Sequence, residues 1–257
     1  MTKGLFDLTG RVAIVTGGNG GIGLGMARGL AAAGTSIVIA GRNQAKSEAA
    51  VTELAASGVK AIALAVDVNN TADLKAMVAG TLKAFGRIDI LINNAGTGAV
   101  APAEDITDDQ FANEMEIDLF GTFKVARAVA KTAMIPAKYG RIINIASMYG
   151  LVGNKVAGSA PYHAAKGGVV NLTRALAAEW GKYGITVNAI CPGYFYTPLT
   201  KETLDSDFFQ ANARTMIPEE RYGNEGELDT AAIFLASPAS SYVTGVNLPV
   251  DGGYTCM

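Results

Sequence analysis

The chain has 257 residues, of which 49% are hydrophobic and 17% charged, and its formal net charge is −2. This composition can fill a large core and excludes a disordered chain, while the small charge without a basic cluster argues against a nucleic-acid-binding protein. No run approaches the roughly 20 apolar residues of a membrane span, and the N-terminus lacks an apolar signal segment. We therefore expect a cytoplasmic protein with one domain over residues 1–257.

Seven short, continuously apolar runs alternate with longer helical patterns. The runs lie at 11–16, 36–40, 60–66, 88–93, 141–147, 185–190 and 246–250, and the helical patterns at 22–33, 43–57, 71–85, 108–134 and 161–181. Strands without polar alternation are buried on both faces, which is typical of parallel sheets covered by helices. The sequence therefore predicts an α/β fold, a doubly wound parallel sheet of about seven strands with helices on both faces.

Segment 193–224 has no clear periodicity and is rich in aromatic and charged residues. It is too long for an ordinary connection between a strand and a helix, and long connections in compact domains are commonly functional. We interpret it as a substrate lid.

A glycine cluster, TGGNGGIG at 16–23, lies between the first predicted strand and the first predicted helix. Missing side chains let the backbone approach a pyrophosphate, and the N-terminus of the following helix offers free N–H groups. A simple turn is the alternative, which this position between strand and helix disfavours. The predicted cofactor-binding residues here are Gly17, Asn19, Gly20, Gly21, Ile22 and Gly23.

The end of the second strand bears on the choice of dinucleotide. An acidic residue there binds the ribose of NAD, whereas an arginine accommodates the 2′-phosphate of NADP. This chain has Gly41 followed by Arg42. We therefore favour NADP(H) over NAD(H); a surface arginine is the alternative, since the glycine loop carries Asn19 rather than a second cation.

Polar or glycine-bearing residues also follow the later strands, at the edge of the sheet where ligands bind. Together with the glycine loop and the sequence Y-x-x-x-K at 162–166, they resemble the short-chain dehydrogenases/reductases, and loosely their gluconate and other sugar-acid dehydrogenase members. The resemblance implies a Rossmann fold, a nicotinamide cofactor and a homotetramer. It implies further cofactor contacts at Asp67, Val68, Asn94, Ala95, Gly96, Pro192, Gly193 and Thr197.

The chemistry of a ketone and its alcohol explains the tyrosine and the lysine. Hydride transfer to a ketone develops an alkoxide, which needs a proton donor and a polarising hydrogen bond. Tyr162 and Lys166 are four residues apart on a predicted helix and share a face, and a nearby ammonium favours the phenolate. By resemblance, Ser147 hydrogen-bonds the substrate oxygen, and Tyr162 and Lys166 also contact the cofactor. We predict an NAD(P)-dependent oxidoreductase of class EC 1.1.1.-; the alternative is a weakly catalytic dinucleotide sensor.

Asp118 departs from the family pattern, which usually has asparagine before glycine on the fourth crossover helix. The carboxylate could accept from a relay water, pair with Lys166, mark a weakened enzyme, or be purely structural. We assign Asp118 a catalytic-support role and predict that Asp118→Asn keeps or raises turnover.

Aromatic residues after Ser147 and after Gly193 are candidates for the substrate pocket, with Tyr149 and Tyr194 predicted to contact substrate together with Ser147. The other candidates are Met148, Gly150, Phe195, Tyr196, Phe208 and Phe209. A sugar acid, a polyol or a cyclic alcohol would fit such a pocket. Lys201, Arg214 and Arg221 could meet a carboxylate or be solvated. His163 is expected to be structural, and one histidine with two distant cysteines predicts no metal site.

Overall fold

The computed structural model describes residues 4–98, 100–155, 158–197 and 200–257, with only the backbone at 208 and 212–214. Seven parallel strands form one sheet in the order β3-β2-β1-β4-β5-β6-β7. The strands are β1 (Val12–Thr16), β2 (Ser36–Gly41), β3 (Ala61–Ala65), β4 (Ile90–Asn93), β5 (Gly140–Ile145), β6 (Ile185–Pro192) and β7 (Asn247–Val250). The strand order reverses at β1, which places a crevice at the carboxyl ends of β1 and β4.

Helices cover the sheet, and all five predicted helical stretches are helical in the structure. They are α1 (Gly21–Ala32), α2 (Gln44–Ala55), α3 (Thr71–Phe85), α4 (Asp108–Glu114), α5 (Thr122–Val129), α6 (Ile135–Ala137), α7 (Ala160–Trp180), α8 (Lys201–Leu204), α9 (Asp207–Met216) and α10 (Asp229–Ala236). Two π-helical segments, Met115–Gly121 and Ala130–Met134, join α4, α5 and α6 into one long helix. None of the helices in the described ranges is long and apolar enough to cross a membrane.

Alternate side chains of β1 are buried on opposite faces of the sheet. In β1, which is buried throughout, Ala13 and Val15 belong to one core cluster, whereas Val12 and Ile14 belong to another. Successive side chains of a strand point to opposite faces, so both faces of the sheet are covered. The continuously apolar runs therefore predicted the doubly wound fold correctly.

The N-termini of α2 and α3 are capped by side chains, whereas the N-terminus of α1 is not. The side chain of Asn43 caps α2 by accepting from the Lys46 N–H at 3.0 Å, and Asn70 caps α3 in the same manner. Helix α1 begins after Gly20 without a side-chain cap. The N–H groups of its first turn, at the carboxyl end of β1, are thus left for another acceptor.

Segment 193–224 is more regular than its sequence indicated, because it contains α8 and α9. These helices are short, and Leu204 on α8 and Phe209 on α9 form a small apolar cluster with Ile217, which follows α9. Tyr194, Tyr222 and Tyr254 pack against this cluster. Helical periodicity is difficult to detect over so few turns, which explains why it was missed.

Candidate active site

The glycine turn after β1 is a position where side chains do not fit. Gly17 and Gly21 have φ values of 62° and 53°, in the left-handed region. A Cβ on Gly23 would lie 2.3 Å from Asn94 Nδ2 and 2.6 Å from the Gly17 carbonyl oxygen. The turn can therefore close against β4 only with glycine at this position.

Asn94, predicted to line the cofactor, ties this turn to β4. Its Nδ2 donates to the carbonyl oxygens of Thr16 and Gly17, both at 3.1 Å. Thr16 Oγ1 in return accepts from the N–H groups of Asn94 and Ala95, at 3.0 and 3.1 Å. Sequence reasoning missed Thr16, although it begins the glycine pattern.

The residues present fit a dinucleotide pyrophosphate. A cavity of about 320 Å³ opens at the uncapped start of α1 and is lined by Asn19, Gly20, Gly21 and Ile22. Thr197 borders it from the opposite side, since a Cβ on Gly21 would lie 3.7 Å from the Thr197 Cβ. Free N–H groups at a helix start, with no side chain in front of them, are suited to an anion.

Two cations lie near the start of α2. Arg42 follows β2 and is exposed. Lys46, on the first turn of α2, reaches back to the glycine turn, so that a Cβ on Gly20 would lie 2.7 Å from its Nζ. Asn19 Nδ2 donates to Ser47 Oγ at 3.0 Å and connects the same two elements. Lys46 thus places a cation beside the glycine turn, which sequence reasoning missed.

Asp67 and Val68 lie after β3, as predicted. The Asp67 N–H donates to Asp73 Oδ2, and Asp67 Oδ1 accepts from the Asn69 N–H, both at 2.9 Å. Val68 lies beside the long helix, because a Cβ on Gly121 would be 3.0 Å from its Cγ2. The Asp67 carboxylate therefore shapes the turn, and its contact with a cofactor stays a prediction.

Two other predicted cofactor residues are glycines in close contact with acidic residues. A Cβ on Gly96 would lie 3.1 Å from Asp118 Oδ1, and one on Gly193, which follows Pro192 at the end of β6, would lie 2.7 Å from the Asp251 Cα. Gly193 therefore requires a residue without a side chain, because backbone lies in the way, whereas a side chain at Gly96 would have to displace the Asp118 carboxylate by a few tenths of an ångström.

Helix α7 carries Tyr162 and Lys166 one turn apart. Lys166 is 5% exposed, and its Nζ lies 5.5 Å from the centre of the Tyr162 ring. The same Nζ donates to the Ile145 carbonyl oxygen at 3.1 Å. Ser147, two residues beyond β5 and 6% exposed, accepts from the Tyr149 N–H at 3.1 Å. The structure thus buries the serine and the lysine at the end of β5, with the tyrosine half-buried above the lysine.

Asp118 lies within the first π-helical segment and is fully buried. Its Oδ1 accepts from the Thr97 N–H at 2.8 Å, and its Oδ2 lies 3.1 Å from Lys166 Nζ, an ion pair without hydrogen-bond alignment. Of the arrangements considered from the sequence, the structure contains the one in which Asp118 pairs with Lys166. Extra residues in a helical turn are common at functional sites, and sequence periodicity does not reveal them.

The charge of Lys166 is maintained against burial. Burial by itself would lower its pKa, but the negative charges around it, of Tyr162 and then of Asp118, raise the pKa above its ordinary value. Glu114, 1% exposed and one turn before Asp118, acts in the same direction. Sequence reasoning missed Glu114, because nothing in its local pattern distinguishes it from a surface acid.

Tyr149 and Tyr194, both predicted to contact substrate, contact each other in the structure. Their hydroxyl groups are in direct contact, and their ring centres are 6.1 Å apart. Burial raises the pKa of both phenols, that of Tyr194 to about 12. His163 stacks on Tyr149 at 4.6 Å, and its Nδ1 lies 2.8 Å from the Ser159 carbonyl oxygen. Both phenols therefore stay neutral, with hydroxyl groups that can donate and accept.

Of the cations considered for a substrate carboxylate, Arg221 pairs with glutamates and Lys201 is exposed. Arg221 is exposed and bonds to Glu227 at 2.7 and 2.8 Å and to Glu219 at 2.7 Å. Lys201 is exposed at the start of α8. The side chains of Arg214 and Phe208 lie outside the described residues.

Comparison with known proteins agrees with this geometry. A family model described as enoyl-(acyl carrier protein) reductase matches residues 17–255. The chain is 40% identical over 251 residues to the gluconate 5-dehydrogenase of Gluconobacter oxydans, covering 98% of this chain and 97% of that protein. It is 38% identical over 253 residues to the galactitol 2-dehydrogenase (L-tagatose-forming) of Cereibacter sphaeroides, with 98% and 97% covered.

Solved structures give the same result. A gluconate 5-dehydrogenase from Burkholderia cenocepacia, in complex with NADP and tartrate, is 41% identical and matches with a TM-score of 0.93 over 98% of both chains. Likeness of this extent spans 98% of the chain. The chain belongs to the short-chain dehydrogenase/reductase family and is an NAD(P)-dependent oxidoreductase of class EC 1.1.1.-.

Proposed function

We propose that the chain interconverts a secondary alcohol and a ketone of a sugar acid or polyol, with NADP(H) favoured over NAD(H). The observation that carries this proposal is that Ser147 and Lys166 lie at the carboxyl end of β5, with Tyr162 beside Lys166 on α7. The family resemblance extends the proposal to a cytoplasmic homotetramer.

The roles follow from where protons and charge must go. When bound, the nicotinamide cofactor supplies or accepts the hydride. In the reducing direction, the Tyr162 hydroxyl donates its proton to the developing alkoxide, and the Ser147 hydroxyl donates a hydrogen bond to the same oxygen. Lys166, held by the Ile145 carbonyl oxygen, stabilises the phenolate that remains. In the oxidising direction the same groups act in reverse.

Asp118 supports Lys166 rather than contacting the reacting atoms. Its carboxylate is fixed by the Thr97 N–H on one oxygen and faces the ammonium with the other. A buried charge is retained only when it is paired, so this contact maintains the lysine in its charged form and in its position. We therefore assign Asp118 the role of a positioning residue.

The preference for NADP(H) rests on Arg42 and Lys46. A ribose 2′-phosphate is a dianion, and two cations at the edge of the glycine turn favour it over a hydroxyl group. No acidic side chain follows β2, where the chain continues Gly41-Arg42-Asn43. The Burkholderia cenocepacia relative was crystallised with NADP, which supports the same preference.

The substrate class rests on the relatives and on the pocket wall. Relatives that are 38–40% identical over nearly the whole chain act on gluconate or galactitol by their names. The neutral hydroxyl groups of Tyr149 and Tyr194 suit a compound with several hydroxyl groups, because each phenol can both donate and accept.

The test follows absorbance at the reduced-nicotinamide band while purified protein is offered NADPH or NADH with ketoses and keto acids, and NADP or NAD with polyols and aldonates. We expect consumption of one cofactor with at least one of these substrates, and its loss in Tyr162→Phe with cofactor binding retained. Tight cofactor binding without turnover across the panel would contradict the proposal and favour a dinucleotide sensor.

A further inference from the structure

Three tyrosines from separate parts of the chain form a closed triangle. Tyr149 follows β5, Tyr194 follows β6, and Tyr254 lies in a short helical turn after β7. The ring centres are 6.1, 6.3 and 6.0 Å apart, and the ring planes meet at 83°, 82° and 88°. Every pair is thus in the edge-to-face arrangement that aromatic rings prefer. Sequence patterning does not predict that Tyr254 takes part.

The polar ends of two of these rings meet, and the Tyr254 ring packs against both of them. The hydroxyl groups of Tyr149 and Tyr194 are in contact. Burial, followed by hydrogen bonding from Tyr194 and then the influence of Tyr254, raises the pKa of Tyr149. Tyr254 also raises the pKa of Tyr194. The hydroxyl groups of Tyr149 and Tyr194 therefore stay neutral where they meet, and each of the three rings is half-buried rather than sealed off.

The C-terminal turn holds Tyr254 in this position. Asp251 Oδ1 accepts from the Gly253 N–H at 3.0 Å, and its Oδ2 accepts from the Thr255 N–H at 3.0 Å and from Thr255 Oγ1 at 2.7 Å. Gly253 has a φ of 88°, which allows the chain to reverse there. Tyr254 is therefore placed by a built turn and by the apolar cluster of α8 and α9.

The triangle lies beside the catalytic groups. The Tyr149 N–H donates to Ser147 Oγ, and the Tyr149 ring stacks on His163, the neighbour of Tyr162. A substrate whose oxygen reaches both Ser147 and Tyr162 must extend from that point along neighbouring side chains. The tyrosine triangle is one of the walls available to it.

We propose that Tyr254 is a specificity-determining residue, whose hydroxyl group acts with those of Tyr149 and Tyr194 to bind substrate hydroxyl groups beyond the reacting carbon. This inference rests on the proposed function, whose substrate class it deepens. A polyhydroxylated substrate exchanges hydrogen bonds with the phenols, whereas a simple ketone leaves the phenols bonded to one another. The triangle thus discriminates by hydroxyl content and requires no substrate charge.

The test compares Tyr254→Phe with wild type on two substrates, the best polyhydroxylated ketone of the panel and a simple aliphatic ketone such as 2-butanone. We expect KM for the hydroxylated ketone to rise about five- to tenfold, the range of one neutral hydrogen bond. The kcat for that ketone, the KM for NADPH and the kcat/KM for 2-butanone stay unchanged. Thermal unfolding of the same samples checks that the variant is folded.

Tyr222→Phe is the matched control, because its ring also contacts Tyr194, at 6.2 Å, while its hydroxyl group donates to the Phe209 carbonyl oxygen at 3.4 Å. We expect no change in KM for this variant. Tyr149→Phe and its combination with Tyr254→Phe provide a second measurement. The double variant should lose less than the product of the single losses, because the three hydroxyl groups form one network.

The outcomes separate this inference from the proposed function. An unchanged KM in Tyr254→Phe, or equal losses on both ketones, would overturn the role of Tyr254 while the dehydrogenase activity stands. Absence of turnover with every hydroxylated substrate in wild type would overturn the proposed function, and this inference with it.

Discussion

Replacing Asp118 with asparagine tests how the buried lysine is held. The carboxylate accepts from the Thr97 N–H at 2.8 Å and faces Lys166 Nζ at 3.1 Å. Asparagine has one acceptor oxygen, so one of these two donors must face an NH₂ group instead. A buried donor left without an acceptor costs about 1–3 kcal/mol, and removing one partner of a buried ion pair about 3–5 kcal/mol. Because the Ile145 carbonyl oxygen still accepts from Lys166, we expect a loss of about 2–3 kcal/mol in the free energy of unfolding.

Turnover should follow the opposite trend. In Asp118→Asn the Lys166 ammonium is no longer offset by Asp118, so it favours the Tyr162 phenolate more strongly. We therefore expect kcat in the oxidising direction to be kept or raised. The assay combines urea unfolding, monitored by the fluorescence of the chain's one tryptophan, Trp180, with steady-state kcat for the substrate identified in the panel.

The pH dependence has a definite sign. The pKa of Lys166 is raised in the folded state, so its stabilising contribution is fully present below the ordinary value of 10.5 and is lost as pH rises through the folded-state pKa. The stability difference between wild type and Asp118→Asn should therefore be constant near neutrality and shrink only above pH 10.5.

Glu116→Gln is the matched control for this experiment. Glu116 lies in the same π-helical segment and also pairs with a lysine, Lys124, but its side chain is 42% exposed. Exposed pairs contribute little, so we expect a change below about 1 kcal/mol. A fall in Asp118→Asn turnover of more than about tenfold, roughly 1.4 kcal/mol in the barrier, would refute the prediction that asparagine keeps or raises turnover at this position. Equal stability of Asp118→Asn and wild type would refute the ion pair.

Three further changes probe the cofactor side of the molecule. Burial, opposed in part by a nearby arginine, raises the pKa of Asp229 from 3.8 to about 6, so stability falls as pH rises through this window. Asp229→Asn should therefore raise the free energy of unfolding at pH 8 by about 1–2 kcal/mol, less than the full shift because the carboxylate is only partly buried. The gain should vanish below about pH 4, and a gain independent of pH would contradict this. Gly23→Ala would place a Cβ 2.3 Å from Asn94 Nδ2, so this variant should lose cofactor binding in a fluorescence titration. Gly181→Ala is the control and should retain binding, because a Cβ there has open space around it. Lys46→Met should raise KM for NADPH about three- to fivefold and leave KM for NADH unchanged, with the exposed Lys131→Met as control; an equal rise for both cofactors would argue against 2′-phosphate recognition.

Features that depend on neighbouring residues in the chain were predictable. The continuously apolar strands, the glycine turn and the tyrosine and lysine one helical turn apart all follow from local patterning, because strand burial, turn geometry and helix periodicity are set over a few residues. The doubly wound sheet and the position of Tyr162 and Lys166 on α7 therefore agree with the sequence analysis. The regularity of segment 193–224 was missed, since its helices are too short for a clear period.

The tertiary structure decided what those local elements bring together. The pairing of Asp118 with Lys166 joins two helices that are distant in sequence and depends on a π-helical segment that patterning does not show. The approach of Lys46 to Gly20 and the contact of Tyr254 with two other tyrosines likewise join segments that meet only when the sheet forms. Such contacts depend on packing among many side chains at once. Local patterning was therefore enough to predict the sheet and the spacing of Tyr162 and Lys166, and the fold decided which charges and hydroxyl groups surround these two residues.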